Sequence, residues 1–380
     1  MELDEQTQKI AAILSLFTEN IFAWEWVESI VNSLNWEQDK ANTALEQLYQ
    51  RHLVSYSEES DTYYYQLHPL IRKFLQEKLE EFAAVNEFKQ AFVSVFMEIA
   101  QSIPESPTLE FINSVKKAIP HLTEIAGNLT DVVSKENLPW AFIVLGEFYE
   151  AQGLYALAEP WCQQCVSTIK LRLGENHRDY ATSLNNLANV YFYQGKYEQA
   201  QPLFIQALEL RKQLLGENHR DYATSLNNLA NLYSCQGKCE QAQPLFIQAL
   251  ELRKQLLGEN HSSTATSLSN LAEFYRSQGK YEQAQPLYIQ ALEIGERVLG
   301  ANNPLYAISL NNLAYLYSCQ GKYEQAQPLY IQALEIGERV LGANHPHTVT
   351  YRENLENLRA QQQKGGDDSW LGSLTRWFLG

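Results

Sequence analysis

The chain has 380 residues, 45% of them apolar, enough for two to four domains or one elongated array and too apolar to remain disordered as a whole. Its 29 basic and 45 acidic side chains leave a formal net charge of −16, which sets bulk electrostatics against phosphate backbones and anionic membrane surfaces. Five cysteines, an odd number, fall inside helical patterns, and the N-terminus is acidic where a signal peptide would be basic. No apolar run approaches the ~20 residues that span a bilayer, so the expectation is a soluble, cytoplasmic protein.

Helical apolar spacing covers about residues 5–16, 24–34 and 38–51. The stretch LVSYSEESDTYYYQL then reads as a strand, a polar turn and an alternating strand, and a helix begins near His68-Pro69. Three helices and a two-stranded wing make a winged helix over residues 1–82. The run YYYQLHPLIRKFLQEKL resembles the winged-helix segment that follows the nucleotide-binding module of STAND (NB-ARC-type) signalling ATPases. Those proteins switch through G-x-x-x-x-G-K-[ST], which this sequence lacks; its Gly-Lys pairs, such as Gly195-Lys196, precede Tyr or Cys. The resemblance implies a packing or regulatory domain, with a separate P-loop ATPase as a conceivable partner subunit. DNA is a poor partner: residues 1–82 carry six Lys or Arg against fifteen Asp or Glu, a net of −9. Residues 83–138 read as a helical connector broken by Pro104, Pro107 and Pro120.

From residue 139 to 348 the chain repeats every 42 residues. One glycine ladder runs through Gly153, Gly195, Gly237, Gly279 and Gly321, and a second through Gly174, Gly216, Gly258, Gly300 and Gly342. Two segments with helical spacing lie between the glycines, so each of five units is a helical hairpin of an A and a B helix. Neither helix buries its apolar face alone, and the hairpins must stack as a right-handed α-solenoid. Pro202, Pro244, Pro286 and Pro328 are expected near the first turn of helix B, where a missing donor costs least.

The unit LNNLANVYFYQGKYEQAQPLFIQALELRKQLLGENH resembles the tetratricopeptide repeat of kinesin light chains. That resemblance implies a non-catalytic protein-binding scaffold whose A helices line a groove for extended peptides. On this reading the groove is formed by Thr182, Asn185, Asn189, Phe192 and Tyr193 in the second repeat and Thr224, Asn227, Asn231, Ser234 and Cys235 in the third. The fourth contributes Thr266, Ser269, Glu273, Arg276 and Ser277, and the fifth Ile308, Asn311, Tyr315, Ser318 and Cys319. Asparagine suits the task because one side chain donates and accepts, as a peptide backbone does. The second asparagine of each pair, Asn186, Asn228, Asn270 and Asn312, reads as a tie between one repeat and the backbone of the next.

Other chemistry is weakly signalled. Cys162 and Cys165 align with core positions, and the recurring His177, His219, His261 and His345 suit a turn or cap better than a metal site. No nucleophile–base constellation appears, so neither enzyme activity nor a cofactor is expected. After a capping helix at residues 349–363, the tail KGGDDSWLGSLTRWFLG reads as a flexible joint followed by an aromatic stripe. Three readings stay open for it: Asp367, Asp368 and Trp370 as a tethered groove ligand, interfacial membrane contact, or a terminus packed on the solenoid or disordered. The competing reading of the whole is the sensor portion of a split STAND ATPase.

Overall fold

The computed structural model describes residues 3–18, 21–59, 62–103 and 108–378, with side chains through residue 363. The chain divides into two compact units, residues 1–149 with 160–173 and residues 150–159 with 174–380. The division passes through the first repeat hairpin.

The first unit begins α1 (Glu5–Leu14), β1 (Phe22–Ala23), α2 (Trp24–Ser33), α3 (Gln38–Gln50), β2 (Val54–Glu59), β3 (Thr62–Leu67) and α4 (Pro69–Leu79). Local chemistry sets these boundaries. The Asp4 carboxylate accepts from Thr7 N–H at 2.9 Å at the start of α1, and His68 Nδ1 accepts from Leu70 N–H at 3.2 Å where proline opens α4. The sheet has three antiparallel strands in the order β1-β3-β2, one more than expected. The added strand pairs Phe22 with Tyr65 and Ala23 with Tyr64. Two residues are too few for alternation to show in a sequence, and packing fixes them: Phe22 is fully buried and stacks on Phe17 at 4.4 Å.

Three further helices, α5 (Val85–Gln101), α6 (Leu109–Val115) and α7 (Ile119–Asn128), belong to this unit. Pro120 lies in the first turn of α7, where it starts the helix; Pro104 and Pro107 lie outside the described residues. Phe17, Trp26 and Phe96 surround the ring of His121 at 5.2, 5.5 and 5.2 Å. His121 is fully buried, and its Nδ1 accepts from Thr18 N–H at 3.1 Å. Burial pushes its pKa down to about 3, so the imidazole is neutral at physiological pH.

The hairpins are α8 (Trp140–Glu150) with α9 (Tyr155–Leu173), α10 (Arg178–Tyr193) with α11 (Tyr197–Leu215), α12 (Arg220–Cys235) with α13 (Cys239–Leu257), α14 (Ser262–Ser277) with α15 (Tyr281–Leu299), and α16 (Pro304–Cys319) with α17 (Tyr323–Val340). The recurring histidines are helix caps: Nδ1 of His177, His219 and His261 accepts from the N–H two residues on at 3.2, 3.1 and 3.1 Å. Gly195 leaves helix A at φ 74° and Gly216 leaves helix B at φ 81°, which explains the two ladders. Pro202 is not in the first turn: it sits inside α11, as do its equivalents in α13, α15 and α17, and each withholds a helical donor from the residue four before it.

Hairpins hold one another through small residues and aromatic rings. Ala188, Ala200 and Phe204 of the second pack with Leu229 and Leu232 of the third, and Phe246 of the third meets Phe274 of the fourth at 5.4 Å. The turn of the first hairpin also meets the loop after the fifth. His345 Nε2 donates to Ala151 O at 2.7 Å, while a Cβ added at Gly153 would clash with Pro346 Cγ. The last helix, α18, spans Pro346–Phe378 and so runs through Gly365 and Gly366, where a joint is read from sequence.

Candidate functional site

Successive A helices touch: α10 with α12, α12 with α14, and α14 with α16. Successive B helices make no comparable contact among the described residues. The A helices thus form one wall of the stack, held closer together than the B helices.

Along that wall lies a ladder of amides. Asn228 Nδ2 donates to Asn185 Oδ1 at 3.1 Å, Asn270 Nδ2 to Asn227 Oδ1 at 3.1 Å, and Asn354 Nδ2 to Asn311 Oδ1 at 3.0 Å. The first asparagines are buried, Asn185, Asn227 and Asn311 being 4%, 3% and 8% exposed. Each of their oxygens already accepts one bond from the following repeat, so part of the acceptor capacity expected for a ligand is spent within the stack. The second asparagines are half-buried; the two that make the bond, Asn228 and Asn270, each retain Oδ1 and one N–H. They tie adjacent repeats side chain to side chain, where the sequence reading has a tie to backbone. Ser269 interrupts the ladder in the fourth repeat, where it stands in place of the first asparagine.

The other expected residues are distributed around this ladder. Asn189, Asn231 and Ser234 are half-buried, and Thr266 is exposed. Thr182 and Thr224 accept at Oγ1 from Arg211 and Arg253 at 3.4 and 3.1 Å. Tyr193 is 59% exposed and stacks on Tyr155 at 5.0 Å, with Phe192 edge-on at 5.4 Å. Arg276 is not a free cation: its Nε donates to Glu273 Oε2 at 2.8 Å and its guanidinium lies 4.7 Å over Tyr315. Tyr288 O–H donates to the same Glu273 oxygen at 2.7 Å. The hydrogen bond to Glu273 raises the Arg276 pKa, and burial followed by the Glu273 charge raises that of Tyr288, so the fourth repeat offers a closed polar network. Side chains of the tail, including Asp367, Asp368 and Trp370, lie outside the described residues.

Two residues escaped the sequence reading. Arg211 and Arg253 are only 5% and 7% exposed, and their Nη1 atoms donate to Ser225 and Ser267 Oγ at 2.9 Å across adjacent hairpins. Burial lowers the Arg253 pKa to about 10, with the nearby Arg220 charge adding to it. The signal was the recurrence of Arg in ELRKQLL, which gives way to Gly295 and Gly337 in the fourth and fifth repeats. Cys162 and Cys165 are buried in the first unit. Among the described residues no group of three His, Cys, Asp or Glu could hold a metal, and no helix is long and apolar enough to cross a membrane.

No curated protein matches the chain. A putative kinesin light chain from Podosopora anserina with nearly identical TPR-like repeats is 25% identical over 52% of this chain and 94% of its own, at a TM-score of 0.42. A signal transduction ATPase with numerous domains (STAND) that carries a tetratricopeptide repeat sensor, from Pyrococcus horikoshii, is 17% identical over 93% of this chain and 52% of its own, at 0.48. NprR in complex with its cognate peptide NprX shares the fold at a TM-score of 0.53, with 14% identity over 96% of this chain and 86% of its own. The tetratricopeptide repeat model matches residues 138–212, 179–255, 221–273, 263–336 and 311–364, more than half of the sequence, and the chain belongs to the tetratricopeptide repeat family.

Proposed function

We propose that this protein is a non-catalytic interaction scaffold that binds extended peptide segments along the wall of its A helices. The observation that carries the reading is the ladder of inter-repeat Asn–Asn bonds. Each bond fixes one amide against rotation and leaves an acceptor and a donor, at Asn228, Asn270 and Asn354, groups that an extended backbone complements. Fixing those rotamers before binding removes part of the entropy cost of recognition. The ladder lies among half-buried, largely neutral side chains, which favours a ligand read by backbone and shape over one read by charge. NprR, which shares the fold, forms a complex with its cognate peptide NprX, in keeping with this use of the wall.

The test selects peptides from a random library against the full chain and compares their affinity for Asn185→Ala/Asn227→Ala/Asn311→Ala. Loss of three oriented amides is expected to weaken binding about tenfold or more, at roughly 1 kcal/mol or above for each partner left unsatisfied. Undiminished affinity in a variant with an unchanged circular dichroism spectrum would refute the assignment. A second reading rests on the helix–strand–helix–helix–strand–strand order of residues 5–67, which contains the three helices and two-stranded wing read from sequence as winged-helix. On it the chain is the sensor part of a split STAND system, and a P-loop ATPase should co-purify with it.

A further inference from the structure

The sheet of the first unit carries an aromatic surface that the scaffold reading does not use. Cross-strand register places Tyr56 opposite Tyr65 and Glu58 opposite Tyr63 on one face of the β2–β3 ribbon. Tyr49, at the end of α3, completes a continuous row: its ring is 5.3 Å from that of Tyr56, which is 5.7 Å from Tyr63 and 6.2 Å from Tyr65. Three of these rings are open to solvent, with Tyr49, Tyr56 and Tyr63 at 46%, 50% and 49% exposure. Tyrosine faces carry negative potential, and the residues around them add to it. The Tyr49 phenol first, and Glu58 among the lesser causes, hold the Tyr56 pKa above its ordinary value; at Tyr65 burial raises the pKa most, with Tyr63, Tyr56 and then Glu28 adding in the same sense.

The opposite face of the same ribbon shows what such a surface holds. Lys117 Nζ sits 3.2 Å above the Tyr64 ring and pairs with the Glu59 carboxylate. A ring with a neighbouring carboxylate is thus already occupied by a lysine on one face. On the other face Tyr63 and Glu58 repeat the combination, and no cation sits over these rings among the described residues. The net charge of −9 over residues 1–82 supplies long-range attraction of the same sign.

We infer that the Tyr49–Tyr56–Tyr63 face is a docking surface for a lysine-rich segment of a partner protein, which places its ammonium groups over the rings beside Glu58. Nucleic acid would meet repulsion here. The inference concerns a surface in a different unit from the amide ladder and does not depend on the peptide reading of the repeats.

The experiment titrates the full chain with an octalysine peptide by calorimetry at low and physiological salt, beside Tyr56→Ala/Tyr63→Ala, Tyr56→Phe/Tyr63→Phe and Glu58→Gln. The alanine pair is expected to bind about tenfold more weakly, from two lost cation–π contacts. The phenylalanine pair, which keeps its ring faces, should stay within about threefold of the parent, and Glu58→Gln should lie between the two. Equal affinity for the parent and a folded alanine pair would show diffuse attraction by the acidic surface and overturn the proposal. So would binding of oligo-dT more tightly than octalysine.

Discussion

Stability of the first unit should fall in acid along a slope that disappears in His121→Gln. His121 is neutral in the folded state down to about pH 3, because burial among Phe17, Trp26 and Phe96 excludes its charged form. In the unfolded chain it takes up a proton near pH 6.5. The folded pKa is depressed, so the unfolded state binds more protons between these values. Stability from this residue is therefore complete above about pH 6.5 and declines as the pH falls toward about 3, by roughly 1.4 kcal/mol per unit. Between pH 7 and pH 4 that amounts to about 3 kcal/mol. Glutamine keeps an acceptor for Thr18 N–H but does not titrate, so urea unfolding followed by tryptophan fluorescence at pH 7, 5.5 and 4 should show the parent losing that much more than the variant. Parallel losses would mean that the imidazole is charged or hydrated in the fold.

Phe246→Ala should cost about 3–5 kcal/mol, the usual range for emptying a fully buried ring. The residue is 1% exposed and joins Leu250 of its own hairpin to Leu268, Leu271 and Phe274 of the next. In a stack of hairpins stability is a sum of repeat and interface terms, so damage at one interface uncouples what lies on either side. The expected result is a lower Tm together with a broadened or split transition, because hairpins beyond the lesion lose contact with those before it. A single sharp transition shifted by less than about 2 °C would contradict a nearest-neighbour array.

The repeats were legible because their signal is redundant: a 42-residue period, two glycine ladders and an apolar stripe on each helix all require the same hairpin. Caps were partly legible, since histidine recurs where each A helix begins, though its use of Nδ1 as acceptor needed coordinates. What stayed hidden depended on neighbours distant in sequence. Asn185 and Asn228 are 43 positions apart, and only the stagger of adjacent A helices reveals that the first satisfies the second. Arg211 looks like one more solvated cation in a polar helix end, yet its bonds to Thr182 and Ser225 bury it between hairpins. Strand β1 is two residues long, shorter than any period can register. Pro202 was misplaced because a helix that begins at Tyr197 reaches one turn before the proline, a start the proline itself does not announce.

Hydrogen exchange of the full chain, with and without a selected peptide, tests the account most directly. Slowed exchange in α10, α12, α14 and α16, with α11, α13, α15 and α17 little changed, is the predicted result. Protection confined to the B helices would place the ligand on the opposite surface and contradict it.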